Sequence, residues 1–199
     1  MNGLRRRSQR AFFGSVAVLL VGMALSACSR ATSTTSTTTT TSSSSQSPAS
    51  LVVSPQGFTA EAVDKVSGGP TGSIGIDEAA SADCDPGNVR RDHWVASELR
   101  YFDANTSYPE TYLLLCVTQL SSAADAVANE QQVASLGVSS GVSSVGVTGA
   151  EVHVVGPAYQ TFFARGRYFV FIVVTDLSGS DAPALAANVA QMQAQRLPS

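Results

Sequence analysis

Hydrophobic residues are concentrated in three runs along the chain. One, Ala11–Leu25, lies near the N-terminus, and two, Leu113–Val117 and Phe169–Val174, lie in the second half. A strand with one solvent-exposed face alternates apolar and polar residues, whereas a strand buried on both faces does not. Because the two later runs do not alternate, we predict that they are central strands of an antiparallel sheet.

Each of these two runs is followed by a helix signal. Ser122-Ala123-Ala124-Asp125 resembles a capping box and predicts a helix over 123–136 that ends at Gly137. Asp181-Ala182-Pro183 predicts the start of a second helix, since proline is tolerated in the first turn. Leu185, Val189 and Met192 then follow at helical spacing.

The order of these elements is repeated. Residues 112–121 resemble residues 168–178 at an offset of 56 and then 57 residues, and each central run follows another strand candidate. We therefore predict an α+β fold, an antiparallel sheet of two strand–strand–helix units with the helices packed mainly on one face. The other face needs a cover, for which the candidates are a helix predicted over 59–66, the segment 71–92, a second copy of the chain or a ligand.

The N-terminal run has the layout of a secretory signal. Arg5, Arg6, Arg7 and Arg10 precede it, and small residues follow it. A membrane-spanning helix needs about 20 apolar residues, whereas the core of a signal peptide has roughly 7–15. We predict a signal peptide over residues 1–27. An uncleaved membrane anchor and ordinary cleavage without lipid stay open as alternatives.

The end of this segment, Leu25-Ser26-Ala27-Cys28, resembles the lipobox of actinobacterial lipoproteins. The resemblance implies cleavage before Cys28 and a thioether-linked diacylglycerol on its sulfur. It also implies attachment to the extracytoplasmic face of the cell membrane. Two acyl chains are enough to anchor a protein stably.

Residues 29–50 are almost all serine and threonine. Such a tract has too few apolar side chains for their burial to offset the entropy of ordering, so we predict a disordered linker. The chain thus divides into a signal peptide (1–27), a lipidated cysteine with a linker (28–50) and a single extracytoplasmic α+β domain (51–199). The linker hydroxyls could carry sugar or form a plain spacer.

Charge excludes one class of partner. The precursor carries a formal charge of −3, and loss of the four signal arginines leaves 8 Lys+Arg against 15 Asp+Glu, or −7. An acidic protein is unsuited to bind nucleic acid or anionic lipid headgroups. We expect no nucleic-acid partner.

Two cysteines remain after Cys28. Cys84 and Cys116 form an even pair in a chain that we expect to be exported, where disulfides persist. We predict that they form a disulfide between an acidic loop and a central strand. Two unpaired thiols or a catalytic thiol are the alternatives.

The candidate catalytic chemistry is sparse. His93 and His153 are the only histidines, and neither has a second histidine or a glutamate at metal-ligand spacing. We interpret both as strand histidines with satisfied hydrogen bonds and expect no metal, no cofactor and no catalytic residues. The motifs of serine hydrolases, zinc proteases, phosphate-binding loops and dinucleotide-binding folds are absent from the sequence.

These patterns favour a lipid-anchored protein of the cell envelope. We expect a non-catalytic domain that binds a partner protein or an apolar small molecule. One alternative is an envelope hydrolase that uses His93 or His153 as its base. Another is a structural, homo-oligomeric component of the envelope.

Overall fold

The computed structural model describes residues 46–62, 69, 71–81, 84, 91–104, 111–136, 143–147, 150–155, 158–176 and 181–199. Within them the helices are α1 (Pro48–Leu51), α2 (Ile76–Ser81), α3 (Ala123–Ser135) and α4 (Ala182–Arg196), with a short 3-10 helix at Arg91–His93. The strands are β1 (Phe58–Glu61), β2 (Gly72–Ile74), β3 (Trp94–Ala104), β4 (Thr111–Leu120), β5 (Ser143–Ser144), β6 (Glu151–Val155), β7 (Ala158–Arg165) and β8 (Tyr168–Asp176).

The eight strands form one antiparallel sheet with the order β1-β3-β4-β8-β7-β6-β5, and β2 pairs with β3 next to β1. The two apolar runs are β4 and β8, and they are neighbours at the centre of the sheet, with Leu115 opposite Ile172. Strands β3 and β4 precede α3, and strands β7 and β8 precede α4. The predicted α+β class and both strand–strand–helix units are confirmed.

The side chains of the central strands divide between two faces. Leu113, Leu115 and Val117 of β4 belong to the same cluster as Val170, Ile172 and Val174 of β8, and α4 and Leu51 pack on them. Cys116, Leu120, Phe169 and Phe171 point to the opposite side and pack with Ala126 and Val133 of α3 and Ala79 of α2. We call these sides the α4 face and the α3 face.

The expectation that both helices pack mainly on one face is therefore wrong. Central strands that are apolar on both faces need a cover on each, and each helix supplies one. The α3 face is completed by Ile74, Ala79 and Cys84, which belong to the predicted covering segment 71–92. Neither a ligand nor a second copy is required to bury the sheet.

The two units share their element order and not their arrangement. A two-fold rotation that placed β4 on its antiparallel neighbour β8 would put both following helices on the same face. Since α3 and α4 lie on opposite faces, the second unit is not a rotated copy of the first.

A helix was also predicted over residues 59–66, and this is wrong at its start. Residues Phe58–Glu61 form strand β1, which pairs with the edge of β3 from Phe58 opposite Ala104 to Glu61 opposite Tyr101. An isolated eight-residue helix is marginally stable, whereas the edge of a long strand offers backbone partners along its whole length. Residues 63–66 lie outside the described part of the chain.

Residues 46–53, which we call the strap, pack against α4. Leu51 is 1% exposed and belongs to the core on the α4 face. Gln193, fully buried, donates from Nε2 to the Leu51 carbonyl at 3.1 Å and accepts at Oε1 from the Val53 N–H at 3.1 Å. The Tyr168 hydroxyl donates to the Gln46 carbonyl at 2.8 Å. Residues 46–50, assigned to the linker by composition, therefore contact the domain.

Candidate functional site

The sulfur atoms of Cys84 and Cys116 are joined in a disulfide. Cys84 is fully buried and Cys116 is 1% exposed, both within the core on the α3 face. The bond ties residue 84 to a central strand across 32 positions of sequence. Neither sulfur is placed to act as a nucleophile, because both are covered by the core. Cys28, the predicted lipidation site, lies outside the described residues.

His93 lies in the 3-10 helix before β3, not in a strand as we interpreted it. Its Nδ1 is 3.3 Å from Asp125 Oδ1 near the start of α3. The Ser122 hydroxyl donates to the other oxygen of Asp125 at 2.6 Å and accepts from the Asp125 N–H at 3.2 Å. Serine, aspartate and histidine thus meet at one helix end.

The order of these three groups is not that of a catalytic triad. A triad needs the histidine between the serine and the acid, so that the imidazole can take the serine proton. Here Asp125 lies between the other two residues and accepts a hydrogen bond from the Ser122 hydroxyl. Ser122 is the N-cap of α3, so the cluster stabilises the start of a helix.

His153 lies on β6, as a strand histidine, and is 8% exposed. Its ring stacks on Phe162 of β7 with centroids 5.4 Å apart and an angle of 15° between the planes. Both side chains point to the α3 face, since His153 is opposite Gln160 and Phe162 is opposite Phe171.

A groove of about 360 Å³ lies between α3 and these two strands. We call it the α3–β6 groove. One wall is formed by α3 and the other by β6 and β7. The described residues that line it are Val127, Glu130, Gln131 and Ala134 of α3, Glu151 and His153 of β6, and Phe162 of β7. The groove therefore combines two carboxyl groups, a buried aromatic pair and an exposed apolar side chain.

Glu130 is the partly buried acid of this groove. Burial raises the pKa of its carboxyl above the ordinary value, and a hydrogen bond from the Ala164 backbone N–H works in the opposite direction. The raised pKa means that ionised Glu130 is less well solvated than a surface glutamate. Glu151, by contrast, is exposed at the groove's other wall.

A second groove, of about 590 Å³, lies beside the end of β7 and the C-terminal half of α4. Its described lining residues are Gly146, Val147, Ala164, Arg165, Gln191, Ala194 and Gln195. The Gln191 amide donates to the Val145 carbonyl at 2.6 Å. That hydrogen bond holds the loop before β6 against α4, so part of this groove's polarity maintains the fold.

The buried acid Glu98 lies on the α4 face, away from both histidines. Its Oε2 accepts from the Ser73 hydroxyl at 2.7 Å, and its Oε1 lies 2.6 Å from Arg100 Nη2. Glu98 is 1% exposed. This buried carboxylate accepts a hydrogen bond at Oε2 and forms an ion pair, without a hydrogen bond, at Oε1, and it joins β2 to β3 as a structural feature.

The described residues show neither a metal-binding cluster nor a membrane-spanning helix. They contain no group of three or more His, Cys, Asp or Glu side chains placed to hold a metal ion. None of the helices in this part of the chain has the length and hydropathy of a membrane span. Residues 82–83 and 85–90, which flank Cys84 in the predicted acidic loop, fall outside the described part of the chain.

Comparison with known proteins gave little. No protein-family model matches the chain. No curated protein matches it. The chain is similar to a solved structure, the extracellular domain of PknH from Mycobacterium tuberculosis, with 10% identity and a TM-score of 0.46. The similarity covers 73% of this chain and 92% of that domain, and at this TM-score it carries no argument about function.

The residues that make the α3–β6 groove were only partly indicated by the sequence. His153 is one of the two histidines that the sequence offers as a candidate base. Glu130 and Glu151 were not noticed, because they lie 21 positions apart on elements whose packing is not local. The i, i+2 spacing of Glu151 and His153 places both on one face of a strand and was the one available signal.

Proposed function

We infer that the chain is exported and cut before Cys28, and that lipid on Cys28 holds it to the membrane. The Ser/Thr-rich linker then presents a non-catalytic domain that binds a partner. The α3–β6 groove is the binding site that the geometry supports best. A partner protein suits its polar and apolar mixture.

The buried disulfide is the observation that carries the extracytoplasmic placement. Disulfides persist in oxidising compartments and are rare in the cytosol. The Cys84–Cys116 bond lies in the core of the α3 face, so it is part of the folded state. It agrees with the secretory pattern of residues 1–27, which rests on separate residues.

The position of the strap supports presentation of the groove. The chain enters the domain at Gln46, next to Tyr168 and α4, and so on the α4 face. The groove opens on the α3 face. Residue 46 and the groove therefore lie on opposite faces of the sheet.

The arrangement of the histidines favours binding over hydrolysis. His93 is separated from Ser122 by Asp125, and His153 is stacked on Phe162. Neither arrangement brings a histidine between a serine and a carboxylate. The hydrolase alternative thus lacks the geometry that it needs in the described residues.

Replacement of Cys28 tests the anchoring. We expect Cys28→Ser to shift the protein from the membrane fraction to the soluble fraction, with loss of the diacylglycerol mass from the mature chain by intact-protein mass spectrometry. Ser29→Ala is the matched control and should stay in the membrane. Unchanged fractionation and unchanged mass of the Cys28→Ser protein would contradict the proposal.

Purification from native membranes tests what the domain binds. Mass spectrometry should detect no stoichiometric lipid beyond the anchor if the partner is a protein, and a bound lipid would instead identify an apolar small-molecule ligand. Light scattering of the same preparation reports whether the chain is a homo-oligomer. A stable oligomer that buries the α3–β6 groove would replace partner binding with the structural role.

A further inference from the structure

Resting on the proposed binding role, we propose that the α3–β6 groove receives a basic side chain, lysine or arginine, of a partner protein. The ligand class follows from the carboxyl groups on the two walls, the partial desolvation of the Glu130 carboxylate, and the stacked rings of His153 and Phe162. Each of these is a separate property of the described residues.

The charges on the walls are of one sign. Glu130 on α3 and Glu151 on β6 line the groove from opposite walls, and no lysine or arginine is among its described lining residues. A cation that enters the groove is attracted by the carboxylates of both walls. The mature chain is itself acidic, which steers a basic partner toward it.

Glu130 adds a reason for the cation to enter the groove rather than stay on the surface. Its ionised form is partly desolvated, and the Ala164 N–H replaces only part of the lost hydration. An ammonium or guanidinium group would supply the opposite charge and further hydrogen-bond donors. Such charge-assisted hydrogen bonds are the stronger ones.

The stacked rings of His153 and Phe162, in the wall formed by β6 and β7, favour a long side chain over a bare ion as the ligand. His153 and Phe162 are 8% and 5% exposed and stack on each other, and Val127 is 45% exposed at the rim. Lysine and arginine have long apolar stems that pack on such surfaces while the charged end reaches polar groups.

The histidines provide a site-specific assay. The chain has two, His93 and His153, and only His153 lines the groove. With histidine-selective isotope labelling of the lipidated mature chain in phosphatidylcholine nanodiscs, NMR resolves one signal at the groove and one internal control. The probe is Nα-acetyl-lysine N-methylamide. The neutral comparisons are its Nε-acetylated form and the norleucine analogue, which keeps the stem and lacks the charge.

We expect the lysine probe to shift the His153 signal saturably and to leave the His93 signal in place, with weaker binding at higher salt. The neutral probes should bind at least about tenfold more weakly, since one charge-assisted hydrogen bond corresponds to about that factor. Glu130→Gln and Glu151→Gln should each weaken the lysine probe by a similar factor. Glu61→Gln, on the far edge strand β1, should not.

Three results would overturn the inference. These are equal binding of the norleucine and lysine probes, unchanged affinity in both groove variants, and no shift of His153 with any probe. Each leaves the anchoring test untouched, because fractionation of Cys28→Ser does not depend on the groove. Failure of that test would instead remove the proposed lipid anchor, whatever the probes do.

Discussion

The strap makes a quantitative prediction through Gln193. Gln193→Met keeps the length and most of the volume of a fully buried side chain, and it removes both hydrogen bonds to the strap. The change leaves the Leu51 carbonyl and the Val53 N–H without their partner. A buried polar group left unpaired costs about 1–3 kcal/mol.

We therefore expect the variant to lose about 2–4 kcal/mol of stability, in the lower half of the range for two such groups because the Val53 bond is only partly buried. In a domain of this size that corresponds to a decrease in Tm of roughly 5–10 °C. Thermal unfolding followed by circular dichroism measures it. Gln195→Met, on an exposed position of the same helix, is the control and should change Tm little.

Release of the strap sets an upper limit to the loss. If the strap detaches, the loss in free energy of unfolding cannot exceed the free energy that docking of the strap contributes. Gln193→Met and Leu51→Ala both weaken this docking, so the double variant should lose less stability than the sum of the two single variants. Equal Tm changes for Gln193→Met and Gln195→Met would refute the reasoning, as would additive effects of Gln193→Met and Leu51→Ala.

Three further predictions concern the α3 face. Replacement of Cys84 and Cys116 together by serine should lower stability by about 3–4 kcal/mol, the chain-entropy value for a 32-residue separation. Denaturant titration with and without reductant measures this loss. An unaltered unfolding midpoint would be evidence against a structural disulfide. Ser122→Ala should cost about 1 kcal/mol through loss of the N-cap of α3, whereas Ser121→Ala, outside the cap, should cost less; equal losses in chemical denaturation would contradict the cap. Because burial raises the folded-state pKa of Glu130 above its unfolded value, the folded state loses stability as pH rises from the ordinary glutamate pKa through the raised one. Glu130→Gln removes this loss, so its Tm relative to the natural chain should increase with pH across that window, and a constant difference would refute the assignment.

Much of the fold followed from local patterns. The capping box placed α3 to within one residue, at Ala123–Ser135 against a predicted 123–136. The apolar runs located β4 and β8 and indicated that both of their faces are buried. These features are local because a helix cap and a strand's side-chain alternation are set by neighbours in sequence.

Local pattern failed where a distant partner decided the structure. Residues 58–61 are a strand because the edge of β3 is available to pair with them. Residues 46–50 have few apolar side chains, yet they lie against the domain because Tyr168 and Arg196, far along the chain, donate hydrogen bonds to the Gln46 and Ser50 carbonyls. Secondary-structure propensity describes a chain without tertiary contacts. At residues 58–61 and at residues 46–50, hydrogen bonds to residues distant in sequence outweigh that propensity.

The sequence by itself determined the order of the two strand–strand–helix units, the α+β class and the need to cover both faces of the central strands. Only the tertiary structure decided that α3 and α4 take opposite faces, since an apolar stripe on a helix fits either side of an apolar sheet. The groove depends on that choice. Glu130 meets the wall that holds Glu151 and His153 because α3 packs on their side of the sheet, and no spacing within the sequence encodes that encounter.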